Sequence, residues 1–241
     1  RELGTCVRTG VAVRRIRRNL NGYDIDIGAG GRISASAVVI ATQPHVAAQL
    51  LDGLDDDAAV AAAGIEAPPT AVVYLGYRRE QVAHPLDGLG FFSPRGEGRT
   101  LNGVQFCSTM FEGRAPEGHV SIAGYLGGDA APELARAPAD ALVALVRDEF
   151  GDLLGAKGEP VVARVRHWPR GLPQYQLGHA ERIAALRGAE DRAPGLFLTG
   201  NYFDGPSVGA CLASARKVAT RLSAAIASRH PGLPVTRRVF G

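Results

Sequence analysis

Short apolar runs separated by turns occupy the first fifty residues of the chain. Val11–Ile16 mixes apolar residues with arginine and predicts a strand, and an Asn-Gly pair, a common turn signal, follows it. At Tyr23–Ile27 apolar side chains alternate with aspartates, the period-2 pattern of a half-exposed strand. Ala37–Pro44 is apolar without alternation, as in a strand buried on both faces, and a helix is expected over His45–Leu51. The opening therefore predicts a three-stranded meander that leads into a buried strand.

From about Pro68 onward the pattern changes to strand-sized apolar runs that no helix separates. Such runs are typical of an antiparallel sheet. They lie at Ala71–Tyr77, Leu89–Phe92, Leu101–Cys107 and Val120–Leu126. A helix is expected at Ala139–Leu154, where apolar residues fall near one face, and a further strand at Val161–His167.

The stretch Gly195–Leu222, GLFLTGNYFDGPSVGACLASARKVATRL, predicts a buried strand, a glycine-rich turn and a long helix. One apolar stripe follows the helix at spacings of three and four residues. It consists of Val208, Cys211, Leu212, Ala215, Val218, Ala219, Leu222, Ala225 and Ile226.

The start of this helix predicts a place for partial negative charge. No acid lies in its first turn, Ser207 can cap it, and the N–H groups of about Val208–Cys211 have no intrahelical partner. Such an end attracts negative charge by about 0.3–1 kcal/mol, and small side chains leave room for a flat ligand such as a reduced flavin. The alternative is that a strand–turn–helix connection uses Gly and Ser in its turn without any ligand.

Together these elements predict an α/β (α+β) protein made of two interleaved parts. Residues 1–66 and 166–241 form an α/β layer, and residues 67–165 form an inserted domain of antiparallel sheet and helix. The division follows the change from mixed strands and helices to consecutive strands and back again.

Composition limits the class of protein. The 241 residues are 46% hydrophobic and 21% charged with a net charge of +3, an ordinary globular balance. The arginines of Val13–Asn19 are interleaved with apolar residues, so we expect a solvated strand edge and no nucleic acid partner. Three distant cysteines show no metal spacing and favour a reducing compartment. No apolar run reaches the roughly 18–20 residues of a membrane span, and no signal peptide is visible.

Several polar residues have both a structural and a functional interpretation. His179 is expected to be a hydrogen-bonding histidine at a helix start, and Tyr175 either packs or faces a substrate. Cys211 lies on the apolar stripe, where a thiol is usually inert, and Asp55–Asp57 suit a solvated helix start. No acid–base pair or metal-ligand spacing stands out, which is compatible with chemistry carried by a cofactor.

Several segments resemble a known family. GLFLTGNYFDGPSVGACLASARKVA is similar to the C-terminal FAD segment of the flavin amine oxidase superfamily. HWPRGLPQYQLGHAERI narrows the resemblance to the protoporphyrinogen oxidases and their coproporphyrinogen-oxidising relatives, whose W–PQY–GH pattern this chain contains. VAVRRI with VVIATQPHVAAQLL resembles the family's second FAD contact region, and LGFFSPRGEGRTLNGVQFCSTMFEGRAPEG resembles its substrate-domain sheet.

The resemblance implies an FAD/NAD(P)-binding-type layer with an inserted substrate domain. The residues that it assigns to FAD are Val13, Trp168, Pro206, Ser207 and Val208. The residues that it assigns to the tetrapyrrole cavity are Leu89, Gly90, Phe92, Gln105 and Phe106. It implies neither a catalytic residue nor a metal ligand in this chain.

By the same resemblance, the activity is FAD-dependent oxidation of protoporphyrinogen IX or coproporphyrinogen III to the porphyrin, with oxygen as acceptor, in heme biosynthesis. A homodimer that is either cytoplasmic or bound peripherally to the inner membrane is also implied. Two alternatives stay open. The substrate is an amine or a carotenoid, with Tyr202 and Phe203 as the nearest approach to an amine-oxidase aromatic pattern, or the chain is an incomplete fragment that acts only as a binding module.

The chain departs from the family pattern at its beginning. The dinucleotide fingerprint GxGxxG is absent, and GAGG at 28–31 lies in a hairpin turn with no helix after it. The first residue is Arg1 and the only methionine is Met110. We therefore expect the C-terminal part of a longer protein, which carries about half of each site and binds FAD weakly or not at all by itself.

Overall fold

The computed structural model describes residues 4–94 and 96–229, and these form two units. The first unit combines the described residues up to Glu66 with those from Pro173 onward, and the second comprises Ala67–Leu172. The chain passes from the first unit into the second and back again, so the second unit is an insertion in the first.

The described residues contain ten strands and six α-helices. In chain order they are β1 (Arg15–Asn19), β2 (Gly22–Asp26), β3 (Arg32–Ala35), β4 (Val38–Ile40), α1 (Pro44–Leu51), α2 (Asp56–Ala63), β5 (Thr70–Arg78), β6 (Gly90–Phe92), β7 (Gly103–Phe106), α3 (Cys107–Met110), β8 (His119–Gly127), α4 (Ala139–Leu154), β9 (Val162–Trp168), α5 (His179–Arg192), β10 (Leu196–Leu198) and α6 (Val208–Arg229). Short 3₁₀ helices lie at Gly4–Cys6, Arg79–Gln81 and Leu134–Arg136.

In the first unit, β1, β2 and β3 form an antiparallel meander, and β4 pairs in parallel with β10. The β10 side chains are all buried, as expected for a parallel strand covered on both faces. Tyr23 of the meander is fully buried, and its hydroxyl donates to the backbone oxygens of Ala193 (2.9 Å) and Pro194 (3.2 Å). This contact fastens the meander to the segment that leads into β10.

Contacts of one carboxylate on α5 join this helix to two further elements of the first unit. The Glu190 carboxylate accepts from the backbone N–H of Leu198 at 2.6 Å, and it forms ion pairs with Arg187 (3.3 Å) and Arg221. Glu190 therefore ties α5 to both β10 and α6. Its side chain is 7% exposed, so these partners replace most of the water that the carboxylate loses on folding.

The α2 helix begins at a charged cap. Asp55 accepts from the N–H of Ala58 at 3.1 Å, which is the N-cap bond. Its carboxylate also accepts from Nε of Arg192 at 2.7 Å and from Nη2 at 2.9 Å. The Arg192 hydrogen bond, with a smaller contribution from the Ala58 N–H, holds the pKa of Asp55 below its ordinary value although burial opposes this. The expected helix start at Asp55–Asp57 is confirmed, and Asp55 additionally connects α2 to α5.

The described strands of the second unit form a five-stranded antiparallel sheet in the order β6-β7-β8-β5-β9. One face of this sheet packs against α4, whose buried residues Leu142, Val146, Phe150 and Leu154 recur at helical spacing. The α4 helix ends at Gly155, which adopts the left-handed conformation (φ +61°) that suits a C-terminal cap. The hydrophobic core of this unit lies between α4 and the inner face of the sheet.

The two segments that join the units are hydrogen-bonded on each side of the boundary. In the second unit, the N–H of Gly171 donates to the Pro68 oxygen at 3.0 Å. In the first, the N–H of Gln174 donates to the Glu66 oxygen at 2.8 Å, and the Gln176 amide donates to the Glu66 carboxylate at 3.0 Å. The entry and the exit of the insertion are therefore neighbouring segments.

Most predicted elements are present, with two informative differences. The helix at Ala139–Leu154 is confirmed at both ends. The first strand begins at Arg15 and not at Val11, because β2 ends at Asp26 and gives the earlier residues no partner beyond the bond from the Arg14 N–H to the Asp26 oxygen. The insertion ends at Leu172 and not at 165, because β9 is the fifth strand of its sheet and pairs with β5 as far as Trp168.

Candidate functional site

The beginning of α6 carries the first group of predicted site residues. The Ser207 hydroxyl accepts from the N–H of Ala210 at 3.1 Å, and the Ser207 backbone oxygen accepts from the N–H of Cys211 at 3.0 Å. Within the part of the chain that the structure describes, the N–H groups of Val208 and Gly209 have no acceptor. Two donors are therefore available here, and not the four that the sequence predicts.

This helix start is open to solvent and electrostatically suited to negative charge. Pro206, Ser207 and Val208 are all exposed, with Val208 at 78%, and the first turn contains no acid. A Cβ atom added at Gly209 would meet nothing closer than the Ser207 hydroxyl at 3.9 Å. Two outward N–H groups at the positive end of a 22-residue helix form a surface that an electron-rich planar ring fits.

The apolar stripe predicted for α6 is only partly covered. Val218 and Ser214 are buried, and the Ser214 hydroxyl lies 3.0 Å from that of Thr199, next to β10. Val208 and Leu212, at the start of the stripe, are exposed. The buried face of α6 therefore includes Ser214 and Val218. The apolar periodicity alone predicts more buried residues than the structure shows.

The PQY–GH residues hold the loop that leads into α6. The Tyr175 hydroxyl donates to the backbone oxygen of Asn201 at 2.6 Å, and the His179 Nε2 lies 2.8 Å from the backbone oxygen of Tyr202. A carbonyl oxygen only accepts, so His179 carries its proton on Nε2. The two rings lie 4.4 Å apart. The structural interpretation of His179 is thus confirmed, and Tyr175 fixes the same loop.

Two aromatic residues of this loop point into the core of the first unit. Tyr202 and Phe203 are buried with ring centroids 4.7 Å apart, and the Arg187 guanidinium lies 4.5 Å from the Phe203 ring. The Tyr202 hydroxyl is buried without a hydrogen-bond partner. Burial raises the pKa of Tyr202 well above its ordinary value, against a smaller opposing effect of Arg187.

The face of the five-stranded sheet opposite α4, here called the outer face, carries most of the second group. Side chains alternate across a strand, and the registers place Gly90 opposite Gln105 and Phe92 opposite Gly103 on this face. Phe92 is 90% exposed, and Leu89 precedes the strand and is exposed as well. Gly90 has φ +138°, and a Cβ there would come within 2.0 Å of the Val104 oxygen, so the close strand approach requires glycine.

Phe106 does not belong to this face. It is 2% exposed and lies in the core against Phe91, with ring centroids 6.2 Å apart. In β7 the neighbouring Gln105 points outward, so the strand period of two sends Phe106 inward. Its predicted role in lining an open cavity is therefore corrected to a core role.

Trp168 and Val13, two of the residues that the resemblance assigns to FAD, belong to different units. Trp168 ends β9 on the outer face of the inserted sheet, 43% exposed, with the Arg166 guanidinium 4.8 Å from its ring centroid. Its predicted place in the α/β layer is thus corrected to the second unit. Val13 belongs to the first unit, precedes β1 and is 40% exposed.

Tyr74, Tyr125, Arg164 and Arg166 also lie on the outer face, and the sequence interpretation did not single them out. The Tyr125 hydroxyl donates to the Gln105 side-chain oxygen. Burial raises the pKa of Tyr125, and neighbouring Tyr74 and Cys107 contribute in the same direction. The alternation in HVSIAGYLG and VARVRHW is the signal that indicates these residues.

The described residues are also compatible with neither of two other kinds of site, a metal centre and a membrane-spanning helix. No group of three side chains there could hold a metal ion. None of the described helices combines the length and the apolar character needed to cross a membrane.

The matches to known proteins cover most of the chain. A family model described as "Flavin containing amine oxidoreductase" matches residues 1–223. The chloroplastic protoporphyrinogen oxidase of Oryza sativa subsp. japonica is 33% identical over 201 residues, which are 79% of this chain and 38% of that protein. The coproporphyrinogen III oxidase of Bacillus subtilis (strain 168) is 26% identical over 210 residues, or 86% of this chain and 44% of that protein.

The fold is shared with solved structures. A protein of Exiguobacterium sp. 255-15, provisionally assigned as a protoporphyrinogen oxidase, matches with a TM-score of 0.75 and 23% identity, over 88% of this chain and 46% of that one. This similarity confirms the predicted fold class. The chain spans 38% and 44% of the length of the two curated relatives.

Proposed function

Because the chain belongs to the flavin-containing amine oxidoreductase family, we propose that it forms part of an FAD-dependent oxidoreductase that converts a porphyrinogen to the porphyrin in heme biosynthesis. The substrate is protoporphyrinogen IX or coproporphyrinogen III, the two named in its relatives. FAD, when bound, supplies the hydride acceptor and passes electrons to oxygen.

The start of α6 is the observation that carries this proposal. The exposed run Pro206–Val208 and the two N–H groups without acceptors fit the electron-rich edge of an isoalloxazine. Tyr175 and His179 would keep this run in position, since both bind the backbone of the loop before it. The side chains of this chain therefore position the cofactor, and none of them acts as an acid or base in the proposed role.

The outer face of the inserted sheet supports a wide, flat substrate. Three small residues lie on this face, Gly90, Gly103 and Ala123. The aromatic residues Phe92 and Tyr125 lie beside them. A surface of small and aromatic side chains with few polar groups suits a macrocycle.

An amine substrate is less well supported by the same structure. The aromatic pair nearest the last helix, Tyr202 and Phe203, is buried in the core of the first unit. Side chains in that position cannot form a cage around an incoming amine.

Flavin binding followed by porphyrinogen oxidation tests the proposal. The purified chain is titrated with FAD by absorption and flavin fluorescence, alone and with a second polypeptide that supplies the portion of the relatives' length that this chain does not span. We expect a perturbed flavin spectrum in the combined sample. Aerobic addition of either porphyrinogen should then give porphyrin fluorescence and hydrogen peroxide.

Two outcomes would refute the proposal. One is a combined sample that binds FAD and oxidises neither porphyrinogen faster than the flavin-free control. The other is a combined sample that oxidises a primary amine in place of the porphyrinogens, which would establish the amine alternative.

We further propose that the assembled protein is a homodimer that is either cytoplasmic or associated peripherally with the inner membrane. The support is the family resemblance of the motifs at Trp168–His179 and Gly195–Ala219. Light scattering on the purified protein and its co-sedimentation with lipid vesicles test both statements. A monomer would contradict the homodimer, and sedimentation with the vesicles or retention in the supernatant distinguishes the two locations.

A further inference from the structure

The outer face of the inserted sheet has a regular grid of side chains. The antiparallel registers align one residue of each strand in a row that crosses the whole sheet. The first row is Phe92, Gly103, Tyr125, Val72 and Arg166. The second row is Gly90, Gln105, Ala123, Tyr74 and Arg164. Both rows therefore begin with small or aromatic residues and end with an arginine on β9.

The spacing of this grid is close to the size of a tetrapyrrole. Neighbouring strands lie about 4.8 Å apart, so Arg166 and Tyr125, two strands apart, are separated by about 10 Å at their backbones. Arg164 and Arg166 are two residues apart on one strand, or about 7 Å. A macrocycle that covers Tyr125 and Ala123 would thus place its peripheral substituents near the two arginines.

The charge on this face is of one sign. Arg78, Arg164 and Arg166 point outward, and no acid occupies the outer-face positions of the five strands. Within the described residues neither Arg164 nor Arg166 has a carboxylate partner. Arg164 donates to the backbone oxygen of Ala163 at 2.8 Å, and Arg166 lies over the ring of Trp168. These contacts leave most guanidinium donors open, and the stacked indole restricts the motion of Arg166.

We propose that Arg164 and Arg166 bind the carboxylate side chains of the tetrapyrrole and orient the macrocycle on the floor formed by Tyr74, Ala123 and Tyr125. This inference rests on the proposed function and names the specificity-determining residues of that site. A guanidinium matches a carboxylate with two parallel hydrogen bonds, so it fixes direction as well as charge.

A second explanation of the arginines needs no ligand. β9 is an edge strand of its sheet, and charged side chains on edge strands prevent pairing with another molecule. On that explanation, removing the charges would promote self-association and leave tetrapyrrole binding unchanged.

The test measures binding of a porphyrin by the purified chain without flavin. The probes are coproporphyrin III and its methyl ester, which lacks the carboxylate charges, and the readout is porphyrin fluorescence. The variants are Arg164→Gln, Arg166→Gln, their combination and Arg166→Lys. Arg78→Gln is the matched control, because Arg78 lies on the same face about 13 Å along β5 from Tyr74. Circular dichroism verifies that each variant folds.

We expect Arg164→Gln and Arg166→Gln each to weaken binding of the free acid by about tenfold, and to leave binding of the ester unchanged. Arg166→Lys should fall between Gln and the original residue, and Arg78→Gln should bind as the original chain does. Equal affinity of the original chain for acid and ester, absence of porphyrin binding, or unaltered affinity in the double variant would overturn the proposal. Because no flavin or oxidation enters this assay, its result is independent of the redox test of the proposed function.

Discussion

Replacing Val208 by aspartate tests two properties of the α6 start separately. One is the stabilisation of the helix by negative charge, and the other is the proposed position of the flavin beside it. Val208 is the first residue of the helix, its side chain is 78% exposed, and its N–H has no acceptor among the described residues. A carboxylate here is close to the positive end of the helix and displaces no core packing. It also puts a negative charge beside the place proposed for the electron-rich edge of the flavin.

The effect on folding is expected to be small and favourable. A negative charge in the first turn of a helix stabilises by about 0.3–1 kcal/mol at an exposed position, and valine and aspartate have similar helix propensity. The free energy of unfolding of Val208→Asp should therefore equal that of the original chain or exceed it by up to about 1 kcal/mol. Urea unfolding followed by circular dichroism measures this.

The effect on a bound flavin is expected to be larger and unfavourable. Two like charges about 5 Å apart interact by about 3 kcal/mol at an effective dielectric constant of 20, and the exposure of residue 208 reduces this to about 1–3 kcal/mol. The penalty falls on the reduced, more negative flavin. The two-electron reduction potential should therefore fall by about 20–60 mV.

Dye-equilibration titration of the FAD-loaded assembly measures the potential, and Val208→Asn is the neutral control of the same shape. The asparagine variant should keep the original potential and stability. If the aspartate variant retains the original potential, or if the two variants change it equally, then no electron-rich group lies near these N–H groups and the reasoning fails.

Two further predictions concern the contacts of α5. Glu190→Ala should destabilise the first unit by about 2–4 kcal/mol, because it leaves the Leu198 N–H without its acceptor and removes a charged partner from buried contacts; urea unfolding checks it. Asp55→Asn should flatten the pH dependence of stability. The pKa of Asp55 is lowered in the folded state by Arg192, so its contribution is present above the unfolded pKa of about 3.9 and is lost as pH falls below that value.

Exposed acids near these positions provide the controls. Glu181→Gln changes a solvent-exposed acid in the first turn of α5, and Asp57→Asn does the same in α2. Each removes one exposed first-turn charge and should therefore lower stability by no more than about 1 kcal/mol. A Glu181 effect as large as that of Glu190, or an unaltered acid transition in Asp55→Asn, would contradict the roles assigned to these contacts.

Local pattern predicted the elements of the fold well where each element carries its own signal. The α4 helix has apolar residues at regular spacing and a glycine immediately after Leu154, so both of its ends are visible in the sequence. The short strand Arg32–Ala35 has neither length nor strong alternation and was not identified separately. The extent of β1 and the membership of β9 in the inserted sheet depend on distant partner strands, which a local pattern does not specify.

The residues of the candidate site likewise include some that local sequence predicts and some that depend on distant strands. The cap at Ser207 and the outward N–H of Val208 follow from sequence position alone. The burial of Phe106 depends on strand register. Alternation alone shows that Gln105 and Phe106 lie on opposite faces of the sheet, and the register shows which face is buried. Local pattern does not indicate the arginines of β9, because their significance depends on neighbouring strands formed by residues some forty to ninety positions away.

The bonds of Glu66 to Gln174 and of Pro68 to Gly171 have a practical consequence for protein engineering. Since the two crossing segments lie side by side, the insertion begins and ends at neighbouring positions of the chain's path. The sheet with its helix can therefore be excised, and a short peptide can close the gap between residues 66 and 173. The same cut points would allow chimaeras in which the insertion of one homologue is grafted onto the scaffold of another.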